Sequence, residues 1–289
     1  MRSIFTFLLA TGAFCAVSPL GAQQPSGPPK VLRVFREDIK EGKGAAHEKT
    51  EAAFMQAAAR AGYPSHVLGM TAMTGPAQAW FLEGHDSFES ITTSQATLNK
   101  PEFDTLDAAD AELRSGSRSM IAVYRPDLSF GVDKTDLPKM RFFTIETIRI
   151  REGQAQEFAE LAKMLIGAAE KAGDTQPVAS YQVMSGAPSG TYLLLQPIES
   201  LKAMDEGQQR QQALFQALGE AGMKRYTKAV SETIVNTESI LFAINPKMSY
   251  EPKEWATANP DFWGQKPAKT TKAPGKTSAK AGEKTASKQ

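Results

Sequence analysis

The chain has 289 residues, and its 33 Lys and Arg residues nearly balance its 32 Asp and Glu residues, which leaves a formal net charge of +1. A charge this small excludes a large electrostatic field that would draw nucleic acid to the whole molecule, so we expect no nucleic-acid binding by the folded part. Cys15 is the only cysteine, which excludes an internal disulfide framework.

Residues 1–22 are typical of a cleaved export signal. Arg2 precedes an apolar run from Ile4 to Val17, and the segment ends in small residues. The run is shorter than the roughly 20 apolar residues that a membrane-spanning helix needs, and no other stretch approaches that length, so we expect no transmembrane span. The mature chain is therefore expected to begin near Gln23, to lack cysteine and to lie in a bacterial periplasm or outside the cell.

Two later stretches of the chain repeat each other. VFREDIKEG at residues 34–42 and IETIRIREG at residues 145–153 both run from a β-prone segment through Glu-Gly into a helical pattern. Their final glycines are 111 positions apart, and the same offset relates Gly75 to Gly186. One structural unit is therefore predicted to occur twice.

Each unit is predicted to have the element order βαββαβ, with the first unit in residues 30–130 and the second in residues 139–250. Runs of β-branched and aromatic residues predict the strands, and apolar residues spaced three or four apart predict the helices. The predicted strands are 32–37, 66–73, 78–83 and 120–124 in the first unit, and 142–150, 178–184, 191–196 and 240–244 in the second. Each antiparallel sheet would have helices on one face and would cover the open face of the other, which predicts an α+β fold closed into a pseudo-dimeric α/β barrel.

In both units a strand runs through Lys/Arg-Glu-Gly into a helix. This repeated pattern resembles the dimeric α/β-barrel (ferredoxin-like) superfamily in a tandem two-unit form. Similar domains are the antibiotic-biosynthesis monooxygenase-like, EthD-like and NIPSNAP-like ones. The resemblance implies a cavity between the sheet and the helices of one unit that binds a small apolar or aromatic molecule, with oxidation that needs no cofactor. Haem-using relatives carry an axial histidine that matches no position here, so haem is disfavoured and no cofactor is predicted.

The histidines offer the sharpest local hypothesis for a site. A hairpin centred between Gly75 and Pro76 would place His66 opposite His85, about 5 Å apart and near Glu83, where the two could share a metal ion or a proton. The alternative is a pair of solvated side chains at the rim of the sheet, because two ligands make a poor metal site. His47, at the start of the first helix, is predicted to be either solvated or a neighbour of the helix cap, and on the order of 20 Å from the pair.

Other candidates are aromatic or charged side chains on strands. They are Arg36, Trp80 and Tyr124 in the first unit and Glu146, Tyr181 and Tyr192 in the second. Either they line a small-molecule cavity or they form the barrel core, which is the usual role of aromatic strand residues. Arg36 aligns with Thr147, so the first unit has the more reactive side chains and is the expected location of any site.

The chain ends in residues 251–289, an aromatic segment followed by a basic tail. Trp255, Phe262 and Trp263 are predicted either to dock on the domain or to form a flap over a pocket. The tail after Trp263 has seven lysines and one glutamate, which predicts a disordered segment that either solubilises the protein or contacts anionic envelope surfaces. Two functions remain open, an exported small-molecule-binding protein with monooxygenase-like activity and a non-catalytic envelope protein with an adhesive tail.

Overall fold

The computed structural model describes residues 27–264. The predicted export signal, with Cys15, and the basic tail from Gln265 onward lie outside the described residues. Within residues 27–264, no helix is both long and apolar enough to cross a membrane.

The first half of the described chain follows the predicted order. Its elements are β1 (Val31–Ile39), α1 (Gly44–Ala61), β2 (Val67–Ala72), β3 (Gln78–His85), α2 (Phe88–Thr97), α3 (Pro101–Ala111) and β4 (Arg114–Tyr124). The second helical region, predicted as one helix, is split because Lys100 is extended and Pro101, whose fixed φ suits a first helical position, starts a new helix. β4 begins earlier than predicted because its first residues are mostly polar and exposed, so they give no apolar signal.

The second half repeats this order. Its elements are β5 (Phe142–Ile150), α4 (Ala155–Ala172), β6 (Ala179–Ser185), β7 (Thr191–Ile198), α5 (Lys202–Asp205), α6 (Gly207–Thr233), β8 (Ile234–Ile244), α7 (Lys253–Ala258) and α8 (Pro260–Trp263). Helices α1 and α4 have the same length of 18 residues, and each ends at a glycine in the left-handed conformation, Gly62 and Gly173. The offset of 111 therefore holds through both helices.

All eight strands form one closed antiparallel barrel in the order β1-β3-β2-β8-β5-β7-β6-β4. The two halves meet at two seams, β2 with β8 and β4 with β6. The predicted α+β class and the barrel are confirmed.

The register of the β2–β3 hairpin differs from the prediction by one residue. Met70 lies opposite Trp80, whereas a hairpin centred between Gly75 and Pro76 would place Thr71 there, and Val67 lies opposite Glu83. The reason is the turn. It contains an odd number of residues, from Met73 to Ala77, and is centred on Gly75. The φ of Gly75 is 75°, which lies in the left-handed region that favours glycine.

Alternation along the strands divides the buried side chains into an inner and an outer set. On β1, Leu32 and Val34 point into the barrel, where the main core also contains Trp80 and Phe242. Side chains of the opposite parity lie beneath the helices, in one layer under α1 and α3 and another under α4. These two outer layers are equivalent positions in the repeat, and they can be compared residue by residue.

The C-terminal aromatic segment docks against the barrel core. Trp263 is 4% exposed, and its indole N–H donates to the carbonyl oxygen of Pro138 at 2.9 Å. The Arg141 guanidinium lies 3.9 Å from the centre of the Phe262 ring. Docking, one of the two predicted alternatives, is what this segment does in the structure.

Candidate functional site

His66 and His85 lie on different faces of the sheet. His66 is exposed, and its Nδ1 lies 3.2 Å from the carbonyl oxygen of Tyr250. His85 is buried on the side of β3 that faces the helices. Because a shift of one residue in register moves a side chain to the other face, the predicted pairing of His66 with His85 is wrong.

The aromatic candidates lie in packed surroundings. Trp80 is 1% exposed inside the barrel, with its ring 5.1 Å from that of Phe242. Tyr192 packs on Phe158 beneath α4 at 4.6 Å. These two contacts are core packing.

Tyr124 lies near the N-terminal end of β1. Its ring is 5.4 Å from that of Tyr181. It also lines a surface cavity of about 330 Å³ with Lys30, Asp86 and Asp133. Tyr124 is thus the one predicted candidate that combines core packing with a cavity wall.

Arg36 reaches across the interior of the barrel from the first half to the second. Its guanidinium lies 4.2 Å from the Trp80 ring centre, and Nη2 donates to Glu238 at 3.3 Å and, more weakly, to Gln78 at 3.5 Å. Burial lowers the pKa of Arg36, although the Glu238 carboxylate opposes this effect. Arg36 and Trp80 therefore form a stacked pair inside the barrel, and Glu238 links this pair to the second half.

Beneath α1 and α3 lies a group of charged residues, here called the buried carboxylate cluster. Its members are Glu37 on β1, His47 and Glu51 on α1, Asp110 on α3 and Arg114 on β4. His47 is 2% exposed, so the solvated alternative predicted for this side chain is wrong. The amphipathic pattern of α1 turns His47 inward, because residues at its three- and four-residue spacing face the sheet.

The cluster is held by short polar contacts. His47 Nε2 lies 2.7 Å from Glu37 Oε2 and 3.7 Å from Asp110 Oδ1. Arg114 donates to Glu37 Oε1 at 2.8 Å, and its Nε lies 2.8 Å from Asp110 Oδ2. The Thr50 hydroxyl donates to Asp110 Oδ1 at 2.7 Å. Four secondary-structure elements thus converge on one small volume.

Burial and like charges shape the ionisation of this cluster. Burial, together with the charges of Glu37 and Asp110, raises the pKa of Glu51 well above its usual range. Burial also raises the pKa of Asp110, against the opposing effects of the Thr50 hydroxyl and His47. Burial acts to lower the pKa of Arg114, but the neighbouring carboxylates outweigh it and the pKa is raised.

The second half has apolar residues at the same positions. The offset of 111 relates Glu37 to Ile148, His47 to Phe158 and Glu51 to Ala162, and the strand pairings Ile39–Arg114 and Ile150–Ile234 relate Arg114 to Ile234. Ile148, Phe158, Ala162 and Ile234 pack together in the layer under α4. An apolar layer therefore suffices for this fold, and the first half places charged groups where packing does not require them.

A second polar group, here called the His85 network, lies at the other end of the same layer. The Tyr63 O–H donates to Glu83 Oε1, and His85 Nε2 lies 3.0 Å from that oxygen without a well-directed hydrogen bond. On the other side of the ring, Nδ1 lies 3.2 Å from the Ser90 hydroxyl and 3.4 Å from that of Ser65. Glu83 and His85 are buried, and Ser90 is partly exposed, so the network runs from the interior to the surface.

Glu146 is the predicted candidate in the second half whose carboxyl group has a shifted pKa. It lies on the helix-facing side of β5, opposite Leu194, and makes no ion pair within residues 27–264. Desolvation by burial raises the pKa of this carboxyl. It is the unpartnered acid of an otherwise apolar layer.

Replacing Glu146 by glutamine is expected to stabilise the protein at neutral pH. A carboxyl whose pKa is raised by folding loses stability as the pH rises from the ordinary glutamate pKa of about 4.3 to the raised value. The melting temperature of E146Q should therefore exceed that of the unmodified protein at pH 7.5, and the difference should shrink towards pH 4. Thermal unfolding at both pH values measures this. E152Q, at an exposed glutamate just beyond the same strand, is the control and should show no such difference.

Sequence reasoning missed Glu37, Glu51, Asp110 and Arg114. A signal for two of them, and for the burial of His47, was present in the repeat. The offset of 111 aligns Glu37, His47 and Glu51 with small or apolar residues, and comparison at every helical position would have shown it. Asp110 and Arg114 required the register of β1 with β4, which the structure supplies.

No protein-family model and no curated protein sequence matches the chain. Solved structures do match. A candidate monooxygenase from Fusobacterium nucleatum subsp. nucleatum is 10% identical, with a TM-score of 0.52 over 75% of this chain and 93% of that one. An anthrone oxidase-like protein is also 10% identical, with a TM-score of 0.52 over 75% of this chain and 92% of that one. The chain therefore shares the fold of these two proteins, and its closed α+β barrel is the fold that the resemblance implied.

Proposed function

We propose that this protein is exported and is built from two tandem ferredoxin-like units. Its first half binds a small apolar or aromatic molecule and oxidises that molecule with O2 and no organic cofactor. The pattern of residues 1–22 supports export. The two solved structures described above support an oxidising activity only by likeness of fold, so the argument for chemistry rests on the site.

The observation that carries the proposal is the His85 network. Glu83 has three polar neighbours: the Tyr63 hydroxyl, His85 at 3.0 Å and Arg33 at 3.9 Å. A buried carboxylate beside an imidazole stabilises the imidazolium that forms when the ring takes up a proton. His85 Nδ1, which faces the Ser90 and Ser65 hydroxyls on the side of the ring away from Glu83, is therefore the atom placed to act as a general base.

Proton removal is the first step that oxidation without a cofactor requires. The base takes a proton from an activated CH2 group of an aromatic substrate, and the resulting carbanion reacts with O2. The CH2 group and O2 are converted to a carbonyl group and water, so atoms and electrons balance without a further reductant. The layer between the two polar groups is packed with apolar side chains such as Phe81 and Phe103. An aromatic substrate would therefore reach His85 from the side of Ser90, which is partly exposed.

His85→Gln is expected to lower kcat/KM for such a substrate by about 10²- to 10⁴-fold, because glutamine keeps a polar side chain but cannot act as the base. The measurement is O2 uptake with a panel of anthrones and other aromatic compounds that contain an activated CH2 group, with product masses determined alongside. The matched control is His66→Gln, at the exposed histidine, which should leave the rate unchanged. Circular dichroism of both variants confirms folding.

Equal rates for H85Q and the unmodified protein would overturn the assignment of His85. If the panel shows no O2 uptake and native mass spectrometry of protein from a periplasmic extract shows no bound small molecule, the oxidising function fails. The non-catalytic envelope protein with a basic tail then becomes the better account.

A further inference from the structure

We propose that Glu37, His47, Glu51 and Asp110 bind one divalent transition-metal ion, at a site separate from the His85 network. Each residue offers one ligand atom, and the four atoms lie within 4.8 Å of one another. Donors around a tetrahedral ion with bonds of about 2.1 Å are roughly 3.4 Å apart. Side-chain adjustments on the order of 1 Å would therefore close the set around an ion.

The charges of the cluster favour binding of a cation. The carboxylates of Glu37, Glu51 and Asp110 surround one guanidinium, that of Arg114. Arg114 also pairs with Asp107, which is exposed and lies outside the cluster. With the carboxylates ionised and His47 neutral, the cluster has a net charge of −2. A divalent cation would bring this ionised group to neutrality.

Two carboxyl groups of the cluster have oxygen atoms without a well-directed hydrogen bond, and one of these atoms, Asp110 Oδ2, is fully buried. Glu51 is 8% exposed, and its carboxyl takes part in no hydrogen bond or ion pair among residues 27–264. Asp110 is 2% exposed, and its Oδ2 receives no well-directed hydrogen bond although Arg114 Nε is 2.8 Å away. Buried carboxyl oxygens normally have hydrogen-bond partners, so the Glu51 carboxyl and Asp110 Oδ2 are available to coordinate an ion.

The remaining contacts hold the ligands in place. Arg114 binds Glu37 Oε1, which leaves Oε2 directed at His47, and Thr50 holds Asp110 Oδ1. Hydrogen bonds of this kind orient metal ligands and contribute to affinity. One imidazole with carboxylates, and no thiolate, suits Zn²⁺, Mn²⁺ or Fe²⁺.

The second half of the molecule argues against a purely structural role. Phe158 and Ile148 fill the positions of His47 and Glu37 with apolar packing, in a helix of the same length and a strand of the same register. The fold is thus built once without these charges. A bound ion explains why the other copy contains them.

The test is metal binding by the purified chain after removal of bound metal with EDTA. Isothermal titration with Zn²⁺ and with Mn²⁺, and elemental analysis after dialysis, should show one ion per chain for at least one metal. Glu51→Gln should weaken binding at least 10-fold, and His47→Phe, which installs the residue of the second half, should abolish it. A rise in melting temperature with metal, absent in H47F, is a second readout.

The matched control is Glu48→Gln. Glu48 lies on the same helix but outside the cluster, bonded to Lys247 and Asn245, so E48Q should bind metal as the unmodified protein does. Absence of stoichiometric metal, or equal affinities for E51Q and E48Q in folded protein, would overturn the proposal. Because the readout is binding, failure here leaves the proposed oxidation at His85 unaffected, and loss of that oxidation would leave this site unaffected.

Discussion

Replacing Arg114 by leucine is expected to lower the free energy of unfolding by about 3–5 kcal/mol. Arg114 is the guanidinium that holds both Glu37 and Asp110, and its removal leaves buried carboxylates without a positive partner. Denaturant unfolding at pH 7.5 in EDTA measures the change without a contribution from bound metal.

The control for this substitution is Arg118→Leu on the same strand. The Arg118 side chain is 56% exposed and pairs with Asp38 at the surface, where such pairs contribute about 0–1 kcal/mol. A loss below about 1 kcal/mol for R114L would mean that the cluster's carboxylates do not depend on Arg114, and the charge argument for a cation would lose its basis.

Exchanging the whole cluster for the residues of the second half is expected to have the opposite effect. The variant E37I/H47F/E51A/D110V/R114I should fold and should be as stable as the unmodified protein or more stable, by about 1–4 kcal/mol, because apolar packing often exceeds a buried ion-pair network in stability. Its unfolding is measured in the same buffer. The variant should also bind no metal.

This experiment separates two explanations of the cluster. If the charged residues were needed to pack α1 and α3 on the sheet, the exchange would unfold the first half or lower its stability as R114L does. If the charged residues are present to bind a metal ion, the variant keeps its stability and loses metal binding. Asp110 is matched to Val230 through equivalent contacts, since the Lys40 N–H donates to Leu113 and the Arg151 N–H donates to Thr233 at the ends of the two helices.

Most of the fold could be predicted because its determinants are periodic. Strand alternation, helical spacing and the glycine stops of α1 and α4 occur twice, and each copy supports the interpretation of the other. The hairpin register could not be predicted in the same way. It depends on whether the turn contains an even or odd number of residues, which Thr74-Gly75-Pro76 leaves open.

The same one-residue difference in register explains why the predicted histidine pair is wrong. A hairpin centred between Gly75 and Pro76 would place His66 and His85 on one face of the sheet, with Glu83 only nearby. In the structure Glu83 and His85 face the helices together, and His66 is alone at the surface. Buried polar clusters that join four elements depend on tertiary placement, so Glu37 and Asp110, 73 positions apart, have no local signature.

Closure of the barrel within one polypeptide has a consequence for how such a site could arise. In an assembly of two identical chains, every substitution appears twice, so three buried carboxylates in one layer would require three more in the other. Here the two halves are joined covalently and their pairing is independent of protein concentration. One copy is therefore free to retain an apolar layer that maintains the barrel, while its partner accumulates charged groups that weaken its own packing.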